Sequence, residues 1–185
     1  MMLVCNLRAF AAEKDYTKDF PKIFKKEKET LTIQLENGKV LSFTDNLTDS
    51  EPYLKTTIKD YYKNLNVVLI RQQYYEGGSY RLISLASGKE VSLPETPVWN
   101  SNQQYFAAAN DDESSYTEST FILGKCDKEE CKTLFERKER SDEVKWKDAN
   151  TVTVQIKKYS DETGKLESDK TLKCEIKKDI AKCAE

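Results

Sequence analysis

Apolar and polar residues alternate strictly in three separated stretches of this chain: Leu31-Thr32-Ile33-Gln34-Leu35, Val152-Thr153-Val154-Gln155-Ile156 and Leu172-Lys173-Cys174-Glu175-Ile176. A period of two sends successive side chains to opposite faces, so each stretch reads as a half-buried antiparallel strand. Turn chemistry falls between such runs. Asn37-Gly38 offers the pair of positive φ angles that a tight hairpin needs, and Ser87-Gly88 and Thr163-Gly164 supply glycine to slightly longer loops. Helical signals are weak by comparison. Residues 19–29, with Pro21 near their start, read equally as a turn or two of helix or as an irregular lead-in, and residues 178–185 as one turn or a last short strand. The expected fold is therefore all-β, an antiparallel meander.

The length of 185 residues suits one domain with a substantial core. Its 30 Lys and Arg oppose 32 Asp and Glu, a net charge of -2, with both signs interspersed. That is a solvated surface with no basic stripe, so nucleic acid is not an expected partner. No apolar run approaches the ~20 residues of a membrane-spanning helix. The many lysines are expected to blunt exposed sheet edges.

The start, "MMLVCNLRAFAAEK", has an apolar stretch and then Ala9, Phe10 and Ala11 in a small-x-small pattern before Glu13 and Lys14. It reads as the tail of a secretory signal, with Met1 inside a longer signal and cleavage after Ala11. The organisation expected is a signal remnant at 1–11, a lead-in at 12–30 and a single all-β domain at 31–185, secreted or periplasmic. Removing Cys5 with the signal leaves four cysteines, and an even count in an exported chain implies disulfides. In "FILGKCDKEECKTLFE" apolar strands flank a four-residue polar loop, so Cys126 and Cys131 should face each other where a hairpin closes, with Ile122 opposing Phe135 further along. By elimination Cys174 pairs with Cys183.

Internal similarity adds a second constraint. "VWNSNQQYFAA" aligns with "KWKDANTVTV", superposing Trp99 on Trp146, each followed by a polar turn and an apolar strand; "YYKNLNVVLI" is a third copy with Tyr62 in the aromatic place. The spacing brackets the ~40–45 residues of a four-stranded propeller blade. The stretch from Val98-Trp99 through Ala108 resembles the Pro-x-Trp-Ser-Pro-Asp-Gly-Lys blade opening of TolB-type and WD-like β-propellers. Here Pro97 is present, but Ser101-Asn102-Gln103 replaces Ser-Pro-Asp and Gln104 stands in the glycine region. Asn102 is then the residue best suited to a left-handed conformation. The resemblance implies a small or partial propeller-like meander; a β-sandwich is the alternative.

The chain has no histidine, which removes Ser-His-Asp, Cys-His and histidine-metal chemistry, and no phosphate-binding loop or cofactor motif is present. Asp111, Asp112 and Glu113 could serve carboxylate catalysis only with a partner carboxyl from another element. Asn110-Asp111-Asp112-Glu113 and Asp45-Asn46-Leu47-Thr48-Asp49 could hold calcium weakly, although neither is an EF-hand loop. Aromatic residues are dense mid-chain, and in strands one ring of Tyr61-Tyr62 and of Tyr74-Tyr75 should point outward. Tyr62, Arg71, Tyr75 and Arg81 are the expected protein-binding surface, since Tyr and Arg anchor interfaces. The functional expectation is a non-enzymatic exported domain that binds another protein, in its narrower form a periplasmic immunity or inhibitor protein. The alternative is a carboxylate-based hydrolase or a carbohydrate-binding module.

Overall fold

A computed structural model describes residues 14–49, 52–111, 120–160 and 163–185. The expected signal remnant, and Asp112 and Glu113, lie outside the described residues.

The strands arrange in four consecutive antiparallel sheets. A single helical turn, α1 (Tyr16–Asp19), precedes the first sheet, β1 (Phe24–Glu27), β2 (Thr30–Gln34) and β3 (Val40–Thr44). The second sheet holds β4 (Lys55–Tyr62), β5 (Val67–Gln73), β6 (Gly78–Ser84) and β7 (Glu90–Leu93). The third holds β8 (Val98–Trp99), β9 (Tyr105–Ala109), β10 (Phe121–Cys126) and β11 (Cys131–Arg137), and the fourth β12 (Ser141–Trp146), β13 (Thr151–Tyr159), β14 (Leu166–Lys177) and β15 (Ile180–Ala184). In each sheet the strand order follows the chain, so the fold is the all-β meander that the alternation implies. One strand, β1, lies inside the stretch expected to be a lead-in, where Phe24 supplies a fully buried anchor opposite Ile33.

The sheets pack face to face in sandwich fashion. Leu31 and Ile33 of the first meet Val68, Ile70 and Ile83 of the second. The opposite face of the second, Val67, Leu69 and Leu82, meets Phe106, Ala108 and Ile122 of the third. Ala107, Phe121 and Leu123 on the far face of the third meet Val152, Val154, Ile156 and Leu172 of the fourth. This explains two kinds of sequence pattern. The inner sheets are covered on both sides, so Val67 to Ile70 and Phe121 to Leu123 are apolar without interruption. The outer sheets have one face in water and alternate along their strands: Thr30, Thr32, Ser42 and Thr44 line one end of the stack, and Thr153, Gln155, Thr171 and Lys173 the other.

Both expected disulfides form, Cys126 to Cys131 and Cys174 to Cys183, each between directly paired residues of a hairpin. The register beyond the first differs from expectation. A bulge at Leu123/Gly124 adds a residue to β11, so Phe135 opposes Leu123 and Ile122 opposes Glu136.

Turns show similar local departures. Gly38 has φ of 82°, but Asn37 is not left-handed; the N–H of Gly38 donates to the Leu35 carbonyl and that of Leu35 to the Lys39 carbonyl. This is the longer hairpin in which a left-handed glycine follows an ordinary turn. In the Trp99 turn the left-handed residue is Gln103, not Asn102. The preceding residue, Asn100, explains the choice: its buried Oδ1 accepts the N–H groups of Gln104 and Tyr105 at 2.9 and 3.1 Å, so side-chain bonds hold the turn without glycine.

Tyr62, Trp99 and Trp146 each end the first strand of a sheet, opposite Val67, Phe106 and Val152. Their rings do not all face alike. Trp99 packs back on Tyr62 at 4.8 Å between centroids, and the Trp146 indole N–H donates back to the Val98 carbonyl at 2.9 Å. Tyr62 points forward to Trp99, and it is Tyr61 that turns back to Phe20 and Phe24 of the preceding layer, at 5.0 and 5.3 Å. Shifting one residue along a strand exchanges its faces, so Tyr61 matches the tryptophans in direction and Tyr62 matches them in pairing.

The last hairpin turns on Lys178 and Asp179, both left-handed at φ of 53° and 60° without glycine or asparagine. Asp179 ties this turn to the third sheet, accepting from Lys125 Nζ at 2.8 Å and from the Tyr105 hydroxyl at 2.9 Å. Those two bonds hold its carboxyl below the ordinary aspartate range. A carboxylate favoured in the folded state adds stability above its unfolded pKa, near 4, and loses that contribution as pH falls through its lower folded value. Stability should therefore fall below about pH 4, and Asp179→Asn should flatten that part of the acid dependence. Urea titrations from pH 6 to pH 2, comparing the two proteins, measure this directly; parallel curves would refute it.

Candidate functional site

The four residues singled out for binding do not form one surface. Sheet pairing places Arg71 beside Tyr80 and Arg81 beside Ile70, on opposite faces of the second sheet. Each face carries an apolar layer against a neighbouring sheet, and the two arginines, on different faces, share no outward side. Tyr62 is half-buried against Trp99, and burial raises its phenol pKa. Arg71 lies over the Tyr80 ring at 5.9 Å, and Arg81 donates to Glu90 at 2.9 Å. Tyr75 alone, in the β5–β6 turn, is well exposed, at 58%. Of the four, Tyr62 reaches the next layer, whereas the contacts of Arg71 and Arg81 lie within the second sheet.

Two of the carboxylates suggested for metal or catalysis, Asp111 and Asp45, have structural partners. Asp111 accepts from Lys157 Nζ at 3.1 Å. Asp45 is buried, with Oδ2 on Lys26 Nζ and Oδ1 on the Thr56 N–H, each at 2.7 Å. Thus the first residue of the suggested calcium loop instead clamps the end of the first sheet to the second. A cavity of about 460 Å³ opens beside this clamp, lined among others by Lys14, Tyr16, Lys55 and Thr57. The Tyr16 phenol is pushed up to about 12, first by burial and then by its hydrogen bond to Asp60.

The least satisfied part of the first sheet is its edge. The Asp45 N–H donates to the Glu29 carbonyl at 2.8 Å and that of Leu35 to the Lys39 carbonyl at 2.9 Å. These bonds fix the alternation between β2 and β3: Leu41 and Phe43 bond β2, whereas the N–H and C=O groups of Val40, Ser42 and Thr44 point away from it. Every other sheet has a fourth strand on this side; among the described residues none pairs with β3.

Two consequences separate β3 from its counterparts. The apolar residues of the third strands elsewhere, such as Leu82, Leu123 and Cys174, are fully buried, but Leu41 and Phe43 of β3 remain half-exposed. Moreover, among the edge strands of more than two residues, β3 alone carries no charge: β1, β4, β7, β11, β12 and β15 all contain Lys, Arg, Asp or Glu. The general expectation of lysine-blunted edges thus fails at β3, as at the two-residue β8, while β7 carries a glutamate in place of lysine. The sequence "KVLSFT" contains the signal, an alternating run with no charge after Lys39, but only the pairing shows that this run lies at an edge.

The molecule is, by class, an all-β protein of stacked antiparallel sheets pinned by two disulfides, with an uncharged five-residue strand, β3, at a sheet edge among the described residues. Comparison with protein-family models, curated proteins and solved structures finds no match for the chain.

Proposed function

We propose that this chain is a non-enzymatic, exported binding domain that engages another protein through β3, within a stack of blade-like sheets. The observation that carries the reading is the edge itself: three outward N–H and C=O pairs without a backbone partner among the described residues, on the one edge strand of that length that lacks charge. Such edges invite strand addition unless charge, proline or a covering element blocks them. Two disulfides support a location outside the reducing cytosol, and among the described residues no helix is long and apolar enough to cross a membrane. Capping a toxin or hydrolase in the periplasm is the narrower form of the same role.

Ser42→Pro tests the reading, because it deletes an outward donor while sparing the bonds to β2. Peptides selected on the intact protein from a displayed library should lose at least about tenfold in affinity for this variant, with an unchanged thermal midpoint. Selected binders indifferent to Ser42→Pro would overturn it. A concentration-dependent dimer abolished by the same substitution would assign the edge to a second copy instead.

A further inference from the structure

Resting on that reading, we infer that the occupant of β3 is a short extended segment, uncharged over about five residues, with apolar side chains at the two positions opposite Leu41 and Phe43. Side chains of a paired strand share the face of the residue they oppose. On the inner face of β3 stand Leu41 and Phe43, half-exposed where Leu31 and Ile33 beside them are 2% and 0% exposed. An added strand would cover their free flank, as the fourth strands cover Leu82, Leu123 and Cys174 in the other sheets. The residues opposite Leu41 and Phe43 would then lie against the apolar layer between the first two sheets, where an unpaired charge is costly.

The alternate positions meet different surroundings. Val40, Ser42 and Thr44 lie on the outer face, beside Thr30, Thr32 and Gln34. Neutral, hydroxyl-bearing or β-branched side chains suit that face, and it imposes no apolar requirement. The recognition rule is therefore apolar, any neutral residue, apolar, in an extended backbone. All strand pairings among the described residues are antiparallel, and an antiparallel occupant continues the same ladder.

Amide exchange on the intact protein, followed by NMR at the Val40, Ser42 and Thr44 N–H groups, tests this with three blocked pentapeptides. One alternates threonine and valine, with valine at the second and fourth positions. One replaces both valines by lysine, and one carries N-methyl groups on the bonding edge of the first. The expected result is fast exchange in the free protein, at least about tenfold slowing with the valine peptide at millimolar concentration, and no slowing with the N-methyl peptide. The lysine peptide should bind at least about tenfold more weakly. Equal protection by valine and lysine peptides would overturn the apolar rule and leave strand addition standing. Failure of the valine peptide to slow exchange would overturn the inference, whereas slow exchange in the free protein would mean that the edge is already covered and would defeat both readings.

Discussion

Gly124→Ala is expected to destabilise the protein by about 3 kcal/mol, the upper end of the usual cost of overpacking a core. A Cβ at this position would stand 2.2 Å from Phe106 Cζ, 2.6 Å from Cε1 and 2.8 Å from the Lys132 carbonyl oxygen. The ring has little room to retreat, because Phe106 is fully buried between the second and third sheets with Trp99 packed on it at 5.5 Å. The carbonyl belongs to the neighbouring strand, so relief there requires the β10–β11 ladder to open at its bulge. Glycine ordinarily weakens a strand, and its presence in β10 marks such a close approach. Urea unfolding should show a lowered midpoint, partly restored when Phe106→Leu is added to Gly124→Ala. A single variant with the wild-type midpoint would show that the ring yields freely.

Asn100→Ala should cost about 2 kcal/mol, chiefly from the buried Tyr105 N–H left without a partner, with a smaller part from the part-buried Gln104 N–H and Ala149 carbonyl, which water can reach. Besides the two N–H groups that hold its own turn, Asn100 donates Nδ2 to the Ala149 carbonyl at 2.6 Å. One amide therefore closes the β8–β9 turn and fastens it to the β12–β13 turn of the next sheet. The loss should appear as a lowered thermal midpoint together with faster exchange at the Gln104 and Tyr105 amides. A destabilisation without that local change would place the effect elsewhere.

The strand content was legible because period two is a property of local sequence, and both disulfides were legible because each pair spans one hairpin. What escaped was information held between elements. Tyr62 and Arg71 looked outward because a two-faced sheet ordinarily has a wet side; the central strands of the second sheet instead carry apolar layers on both, one against the first sheet and one against the third. Similarly, Asn102 was the local choice for a left-handed residue, but Asn100 bonds decide the turn and leave the positive φ to Gln103. The need for glycine at 124 comes from the ring of Phe106, eighteen residues earlier, and no window of β10 alone discloses it. The candidate edge was half legible: "VLSFT" showed its lack of charge, but edge position follows only from the strand order.

Because each sheet shares an apolar layer only with its neighbours, the stack is a nearly one-dimensional chain of interfaces. In such arrays stability accumulates interface by interface, and opening can begin at one end without reaching the other. The covalent reinforcement is unevenly placed: both disulfides lie in the third and fourth sheets, whereas β3 belongs to the first. A reductant would thus loosen the half of the molecule remote from β3, while the layer between the first and second sheets, which contains no cysteine, holds the edge in place. The length of the stack thus separates β3 from the covalent reinforcement.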